Sequence, residues 1–129
     1  MASARDTTAE HIKPLEGALT RRFTAGTTIA AGELVSMVAD GYVDPTDCAS
    51  FPLASCVGVA LQAAVAGQRV DVVTFGPVIC MTGATPGQLV YATDTAGEMG
   101  DAVGTKDVLV GVAESATVLF VRIEFIDRA

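Results

Sequence analysis

The sequence predicts an all-β fold, a small β-barrel or sandwich built from two quasi-repeated β units. The first observation is an internal repeat, because Val-Gly-Val-Ala occurs at 57–60 and again at 110–113. Each copy follows a Gly-x-Leu-Val segment, at 32–35 and at 87–90, so two motifs return in order at offsets of 53 and 55 residues. Such a return at nearly one offset indicates a duplicated structural unit. With only two copies, we expect the units to close on each other rather than extend as a solenoid.

The second observation is composition. Val, Thr, Ala and Gly are abundant while Leu and Lys are scarce, and this usage favours strands and turns over helices. Half of the residues are hydrophobic and 18% are charged, which is typical of a globular chain with its own core. No stretch has the periodicity of an amphipathic helix of three turns, although residues 60–66 are compatible with a short one.

The first unit contains short strands separated by turn residues. Asp40-Gly41 predicts a tight hairpin turn, because Asp and Gly tolerate the positive φ that such turns need. Residues 69–72, Arg-Val-Asp-Val, alternate charged and apolar side chains as a half-buried strand does, and we expect Gly76-Pro77 to end this strand. The strands expected in this unit span residues 27–29, 34–38, 42–43, 57–61 and 69–75.

A continuous apolar segment, 78–81, precedes the second unit and predicts a strand buried on both faces. Residues 93–107 are rich in turn residues and predict a long loop. In the final strand charged and apolar side chains alternate, so Arg122 and Glu124 face away from the apolar side chains. The second unit begins at residue 88, and its strands are expected at 88–92, 108–113 and 121–125.

The formal net charge is −7, and it is unevenly distributed along the chain. Residues 1–22 sum to +1 and residues 23–129 to −8, so we divide the chain into an extended N-terminal arm, 1–22, and a β-barrel domain, 23–129. The arm is either a disordered tail or a segment that orders against a neighbouring subunit, and the sequence leaves both open. Because an acidic protein is repelled by phosphate, we expect neither nucleic acid nor a membrane surface as a partner.

Two uncharged runs, 48–68 and 72–93, are interrupted by Pro or Gly and lack dense Leu, Ile and Phe, so we expect buried strands rather than membrane spans. The cysteines are odd in number: Cys48, Cys56 and Cys80. We interpret them as reduced, buried thiols in a protein that is made in cytoplasm.

The residues that could carry catalysis or bind a metal do not combine into a site. His11 is the only histidine and lies in the arm, so no Ser-His-Asp or Cys-His set can be built in the barrel. Two acidic loops, 40–47 and 94–101, lack the spacing of a calcium-binding loop, and we interpret them as solvated turns. We therefore expect no enzyme activity, no cofactor and no metal.

Several glycine-punctuated segments, taken in order, resemble a known family. The segments are 25–35, 57–60, 66–72, 76–78, 86–91 and 109–113. They resemble the capsid decoration, or cement, proteins of tailed phages that are grouped as the DUF2190 family. The resemblance covers about residues 23–125, and it implies a compact β-barrel or β-tulip domain with a structural role.

The resemblance also implies partners and a location. The expected partners are the major capsid protein and the protein itself, as a homotrimer at local three-fold positions of an icosahedral phage head. The expected location is the outer capsid surface of the virion, which suits an acidic body better than the DNA-filled interior. Terminal arms of the family reach neighbouring subunits. Four basic residues of the arm are our candidates for contacts with acidic capsid patches: Arg5, Lys13, Arg21 and Arg22.

Two other classes of function stay open. One is a virion-surface module that binds a receptor or a glycan, which exposed aromatic side chains would favour; Tyr42 and Tyr91, however, lie in expected strands. The other, more remote, is a carrier domain. Lys106 lies in a turn and resembles the modified lysine of lipoyl and biotinyl carriers, although the acidic or Met residues that flank that lysine are missing.

Overall fold

The computed structural model describes residues 4–49 and 53–125, and within these ranges it contains twelve β-strands, one short 3₁₀ helix and no α-helix. The predicted all-β fold is confirmed. The strands are β1 Ala4–Arg5, β2 Lys13–Pro14, β3 Leu19–Thr24, β4 Leu34–Met37, β5 Val43–Pro45, β6 Cys56–Ala60, β7 Arg69–Ile79, β8 Met81–Thr82, β9 Leu89–Ala92, β10 Met99–Gly100, β11 Val108–Ala113 and β12 Val118–Phe125, and the 3₁₀ helix is Ala9–His11.

Eight antiparallel strands are linked by successive hydrogen-bonded pairs, β10-β9-β11-β12-β7-β6-β4-β5, and curl into a half-barrel, while β2 and β3 of the same sheet also pair with β7. The predicted duplication is confirmed by this order, because β10-β9-β11-β12 and β5-β4-β6-β7 are equivalent series that meet where β12 pairs with β7. Equivalent residues make equivalent pairs. Val35 pairs with Gly58 in the first unit, and Val90 pairs with Gly111 in the second.

The repeat includes the turns that precede β4 and β9. Gly32 donates its backbone N–H to the carbonyl of Ala60, and Gly87 donates its own to the carbonyl of Ala113, both at 2.8 Å. The side chain of Glu33 accepts the backbone N–H of Ala30 at 2.9 Å, and in the second unit that of Gln88 accepts the N–H of Thr85 at 3.1 Å. The two Gly-x-Leu-Val motifs therefore perform the same local task in both units.

The predicted end of a strand at Gly76-Pro77 is wrong, because β7 continues to Ile79. Pro77 pairs with Phe120 of β12, and its carbonyl accepts the N–H of Leu15 at 3.0 Å on the opposite edge. The N–H that proline lacks would point to that same edge, where the arm turns between β2 and β3. The missing donor therefore leaves the pairing of β7 with β12 intact.

Buried apolar side chains form two clusters on opposite faces of the sheet, as the alternation along each strand requires. The larger fills the half-barrel and draws on both units, whereas the smaller lies beneath the segment that joins β3 to β4. Leu34 belongs to the larger cluster and its neighbour Val35 to the smaller. The short helix that residues 60–66 could have formed is absent, since Ala64 instead makes an antiparallel bridge with Ile29 that covers the smaller cluster.

The arm lies along its own barrel from residue 4 onward. β1 pairs with β8, while β2 and β3 pair in turn with the second and first parts of β7. Ile12 enters the larger core and is 7% exposed. The sequence left open a disordered tail or an arm on a neighbouring subunit, but residues 4–22 pack against the same chain. The expected boundary at residue 22 falls inside β3, which continues to Thr24.

Polar contacts hold the beginning of the arm. The Arg5 guanidinium donates to the Glu98 carboxylate at 2.9 Å and to a backbone carbonyl at 3.3 Å. Asp6, which is buried, accepts the backbone N–H of Thr8 at 2.9 Å and contacts the His11 ring at 2.8 Å. The hydrogen bond from Thr8, with a smaller contribution from His11, lowers the pKa of Asp6 despite its burial. The Arg5–Glu98 ion pair therefore ties the arm to the barrel together with Ile12, whereas the Asp6 contacts stabilise the turn within the arm.

Low pH should weaken the contacts made by Asp6 and Asp71, and with them the packing of the arm on the barrel. The pKa of Asp71 on β7 is also lowered, chiefly by the hydrogen bond from Arg22 of the arm. Because the pKa values of Asp6 and Asp71 in the folded state lie below the ordinary 3.8, their ionised forms stabilise the fold at neutral pH. This stabilisation is lost as pH falls from about 4 through the folded-state values. We expect the free energy of unfolding, measured with urea, to decline over this range.

The matched variant replaces both carboxylates, Asp6→Asn with Asp71→Asn. It should be less stable than the wild type at pH 7, and its stability should decline less below about pH 4. An acid decline as steep in the double variant as in the wild type would show that other groups cause it.

Candidate docking groove

β12 and β6 lie on the same edge of β7 and separate near its middle. β12 pairs with β7 from Ile79 to Gly76, whose partner is Val121, and β6 pairs with β7 at Val73 and Val72. On the other edge the pairing of β3 with β7 skips Thr74, and a β-bulge of this kind increases the local twist. The sheet therefore opens beside Thr74 and Phe75.

A groove of about 470 Å³ lies at this opening. Each of four strands contributes two residues to it, and these strands come from distant parts of the chain. The lining residues are Arg21 and Phe23 of β3, Cys56 and Val57 of β6, Thr74 and Phe75 of β7, and Arg122 and Ile123 of β12. The groove thus depends on the arm, on both repeated units and on the junction between them.

Phe75 is an exposed apolar wall of the groove. Its side chain is 43% exposed, although its ring packs edge to face on Phe120 with the centroids 5.2 Å apart. Such ring pairs contribute about 0.5–1.5 kcal/mol beyond the area they bury. The contact with Phe120 therefore holds the Phe75 ring in place while leaving part of it open to solvent.

The groove is positively charged. Arg21 and Arg122 are both exposed, and none of the eight lining residues is acidic. The Arg21 guanidinium lies 5.5 Å from the centroid of the Phe23 ring, within the range of a cation–π contact. In a chain whose net charge is −7, this groove is a local concentration of positive charge beside apolar surface.

The four predicted contact residues lie in different places. Arg5 is 11% exposed and is paired with Glu98, so little of its side chain faces solvent. Lys13 is exposed on β2, which pairs with the end of β7 remote from Arg21. Arg21 lines the groove, whereas Arg22 is exposed and bonded to a carboxylate across the strand at 2.9 Å. The structure therefore separates these residues rather than gathering them into one basic patch.

Of the eight lining residues only Arg21 was predicted as a contact, and the exposed residues that were missed are Phe75 and Arg122. Arg122 was expected to face away from the core, but nothing in the sequence indicated that it would share a groove with Arg21. The signal for Phe75 was available, because the alternation of residues 69–72 breaks at Val73 and a phenylalanine stands directly before Gly-Pro. A break of this kind is where a β-bulge can redirect side chains.

Other chemistry-bearing groups stand apart from the groove or are buried. No cluster of three or more His, Cys, Asp and Glu side chains that could hold a metal occurs in residues 4–49 and 53–125. The three cysteines are free and buried, as predicted. Burial raises the pKa of Cys48 to about 12 and that of Cys56 to about 11, and it raises the pKa of Cys80 as well. These thiols are protonated at neutral pH and are therefore poor nucleophiles.

No protein-family model matches this chain, and no curated protein matches it in sequence. The described part of the chain contains no helix long and apolar enough to cross a membrane.

Proposed function

We propose that this protein is a structural protein of the virion that binds the outer surface of an icosahedral phage head and cements neighbouring capsid subunits. It acts as a homotrimer at local three-fold positions, and its main partner is the major capsid protein. It is not an enzyme and needs no cofactor. The proposal rests first on the ordered set of segments that resemble capsid decoration proteins.

The observation that carries the proposal is the position of those segments. They coincide with β4, β6, β7, β9 and β11 and with the turns before them, which make up most of the duplicated half-barrel. The repeated glycines and valines serve strand pairing and closure, so they leave the outer strands and the groove available for contacts. A rigid β body with an apolar, positively charged groove is suited to binding rather than to chemistry.

Cementing follows from mass action and multivalency. A protein that binds only the expanded capsid lattice stabilises that lattice in proportion to the logarithm of its free concentration over Kd. A trimer that touches several capsid subunits must lose all of these contacts before it leaves, so modest contacts sum to slow release. Without such avidity, each contact would need about 1,000 Å² of buried surface to be specific.

The test combines sizing with co-sedimentation. The purified protein is sized by light scattering and then mixed with emptied, expanded heads of tailed phages, with unexpanded heads as the control. We expect a trimer that sediments with expanded heads and stays in the supernatant with unexpanded ones. A monomer that ignores both kinds of head would contradict the proposal.

A second candidate function is a virion-surface module that binds a receptor or a glycan. The exposed aromatic side chains Tyr42, at 44%, and Phe75, at 43%, favour it, because aromatic rings commonly anchor such ligands. A glycan array probed with the labelled trimer tests this candidate.

The carrier function gains less support, because Lys106 is half-buried and its backbone N–H is bonded to the carbonyl of Cys48 at 2.8 Å. An intact mass without an adduct on Lys106 would count against it.

A further inference from the structure

We infer that the groove between β3, β6, β7 and β12 binds an extended acidic segment of a partner protein. Carboxylates of the segment pair with Arg21 and Arg122, and an apolar side chain next to them packs against Phe75. In the proposed function this segment belongs to the major capsid protein, and that assignment rests on the proposed function. The existence of the site rests on the groove alone.

The positive charge of the groove favours a negatively charged binding partner. The whole chain has eight basic and fifteen acidic residues, yet two arginines and no acid line this groove. Arginine presents a planar set of donors that matches a carboxylate, and it is favoured at interfaces for this reason. Arg22, the neighbour of Arg21, already has a carboxylate partner in Asp71. The partner that complements Arg21 and Arg122 is therefore an acidic one.

The apolar walls indicate a segment that carries hydrophobic side chains as well. Phe75 is exposed, and Phe23, Val57 and Ile123 are half-buried. Leu19, the residue of β3 that pairs with Phe75, is 60% exposed. An aromatic ring with a nearby arginine is the composition found at the energetic centres of protein interfaces. Phe75 is also held by Phe120, so little side-chain freedom is lost when a partner packs on it.

The openness of the groove favours a polypeptide over a small molecule. Sites for small molecules enclose most of the ligand surface, whereas Arg21, Phe75 and Arg122 are all exposed. The acidic balance of the rest of the chain disfavours a nucleic acid, which would carry negative charge past it. An extended peptide can lie along the opening and leave its far side in solvent.

The experiment uses a displayed library of random ten-residue peptides, selected on the full-length protein. The test variant combines Arg21→Glu with Arg122→Glu. The matched control is Arg69→Glu, which reverses an exposed arginine on β7 outside the lining of the groove. Urea denaturation checks that each variant is folded, and a second double variant, Arg21→Gln with Arg122→Gln, removes the charges without reversing them.

We expect enriched peptides that contain Asp or Glu beside an aromatic or aliphatic residue. Their affinity should fall by about tenfold or more in both double variants and by less than about twofold in Arg69→Glu. Binding of these peptides should also weaken as salt is raised. The inference is overturned if no peptide is enriched or if the enriched peptides lack Asp and Glu. It is also overturned if the double variants bind the enriched peptides as tightly as the wild type does.

Co-sedimentation with expanded heads separates this inference from the proposed function. If heads bind the wild type and the double variants equally, the groove is not the capsid contact, although the protein still binds heads. If acidic peptides bind the groove but no head binds the protein, the docking site stands and the capsid function fails.

Discussion

Replacing Gly111 with alanine should destabilise the fold by about 3 kcal/mol and lower Tm by roughly 10 °C, or prevent folding altogether. Gly111 lies on β11 against β12, and a Cβ at this position would overlap the backbone carbonyl oxygen of Phe120. A backbone atom within a paired strand cannot move aside as the end of a side chain can. Domains of this size are stable by only about 5–15 kcal/mol, so the loss is a large share of the total. Urea denaturation with a far-UV circular dichroism signal measures it.

The same result is expected at Gly58, the equivalent residue of the first unit. A Cβ there would overlap the carbonyl oxygen of Val73 on β7. Gly100→Ala is the matched control, because its Cβ would meet only the Thr93 methyl group, at an ordinary 3.6 Å. The control should shift stability by less than about 1 kcal/mol. If Gly58→Ala and Gly111→Ala unfold at the same urea concentration as the control, the neighbouring strands do not approach these two glycines as closely as the structure shows.

Replacing Ile12 with alanine should cost about 2–4 kcal/mol, the second largest effect that we expect. Among the described residues before β3, Ile12 is the one in the buried core, and its side chain occupies space that a Cβ on Gly32, in the turn before β4, would need. Truncation would remove buried methyl groups and leave a cavity where arm and barrel meet. Amide hydrogen exchange in β2 and β3 should accelerate together with the loss of stability seen in urea, because both strands are held on β7 by the same arm.

Leu19→Ala is the control for this prediction, since Leu19 is an aliphatic residue of the same segment that is 60% exposed. Its loss should change stability by no more than about 0.5 kcal/mol. Equal effects at Ile12 and Leu19 would mean that the arm does not pack into the core. If Ile12 behaves as expected, deletion of residues 1–19 is a poor test of capsid binding, because it would remove core contacts as well. Point variants in the groove are then the sharper test.

The arm shows where reasoning from sequence reached its limit. The change in charge between 1–22 and 23–129 marks a segment of different composition, but composition does not tell whether such a segment binds its own chain or another. That choice depends on whether the edge of β7 is open, and β7 could not be recognised as an eleven-residue strand because Gly76-Pro77 looked like its end. The arm fills that edge.

The groove illustrates the same limit. The sequence singled out Arg21 as a contact residue of the arm and placed Arg122 on a solvent-facing side of its strand. Their proximity depends on the bulge at Thr74 and on where β12 and β6 separate along β7. These features come from pairing between strands that are far apart in the chain. The break in alternation after Val72 marks the bulge locally, but no local pattern encodes where β12 and β6 separate or that Arg21 and Arg122 share a groove.

The sequence by itself determined the β class and the duplication, because alternation along a strand and glycine at a close strand approach are local requirements that leave local marks. Gly58 and Gly111 show this most directly, since each stands where a neighbouring carbonyl leaves no room for a side chain. Only the tertiary structure decided that the arm packs on its own barrel and that two arginines and a phenylalanine share one groove. These outcomes depend on which strand edge is free and on how the two units meet, and those are properties of the whole sheet.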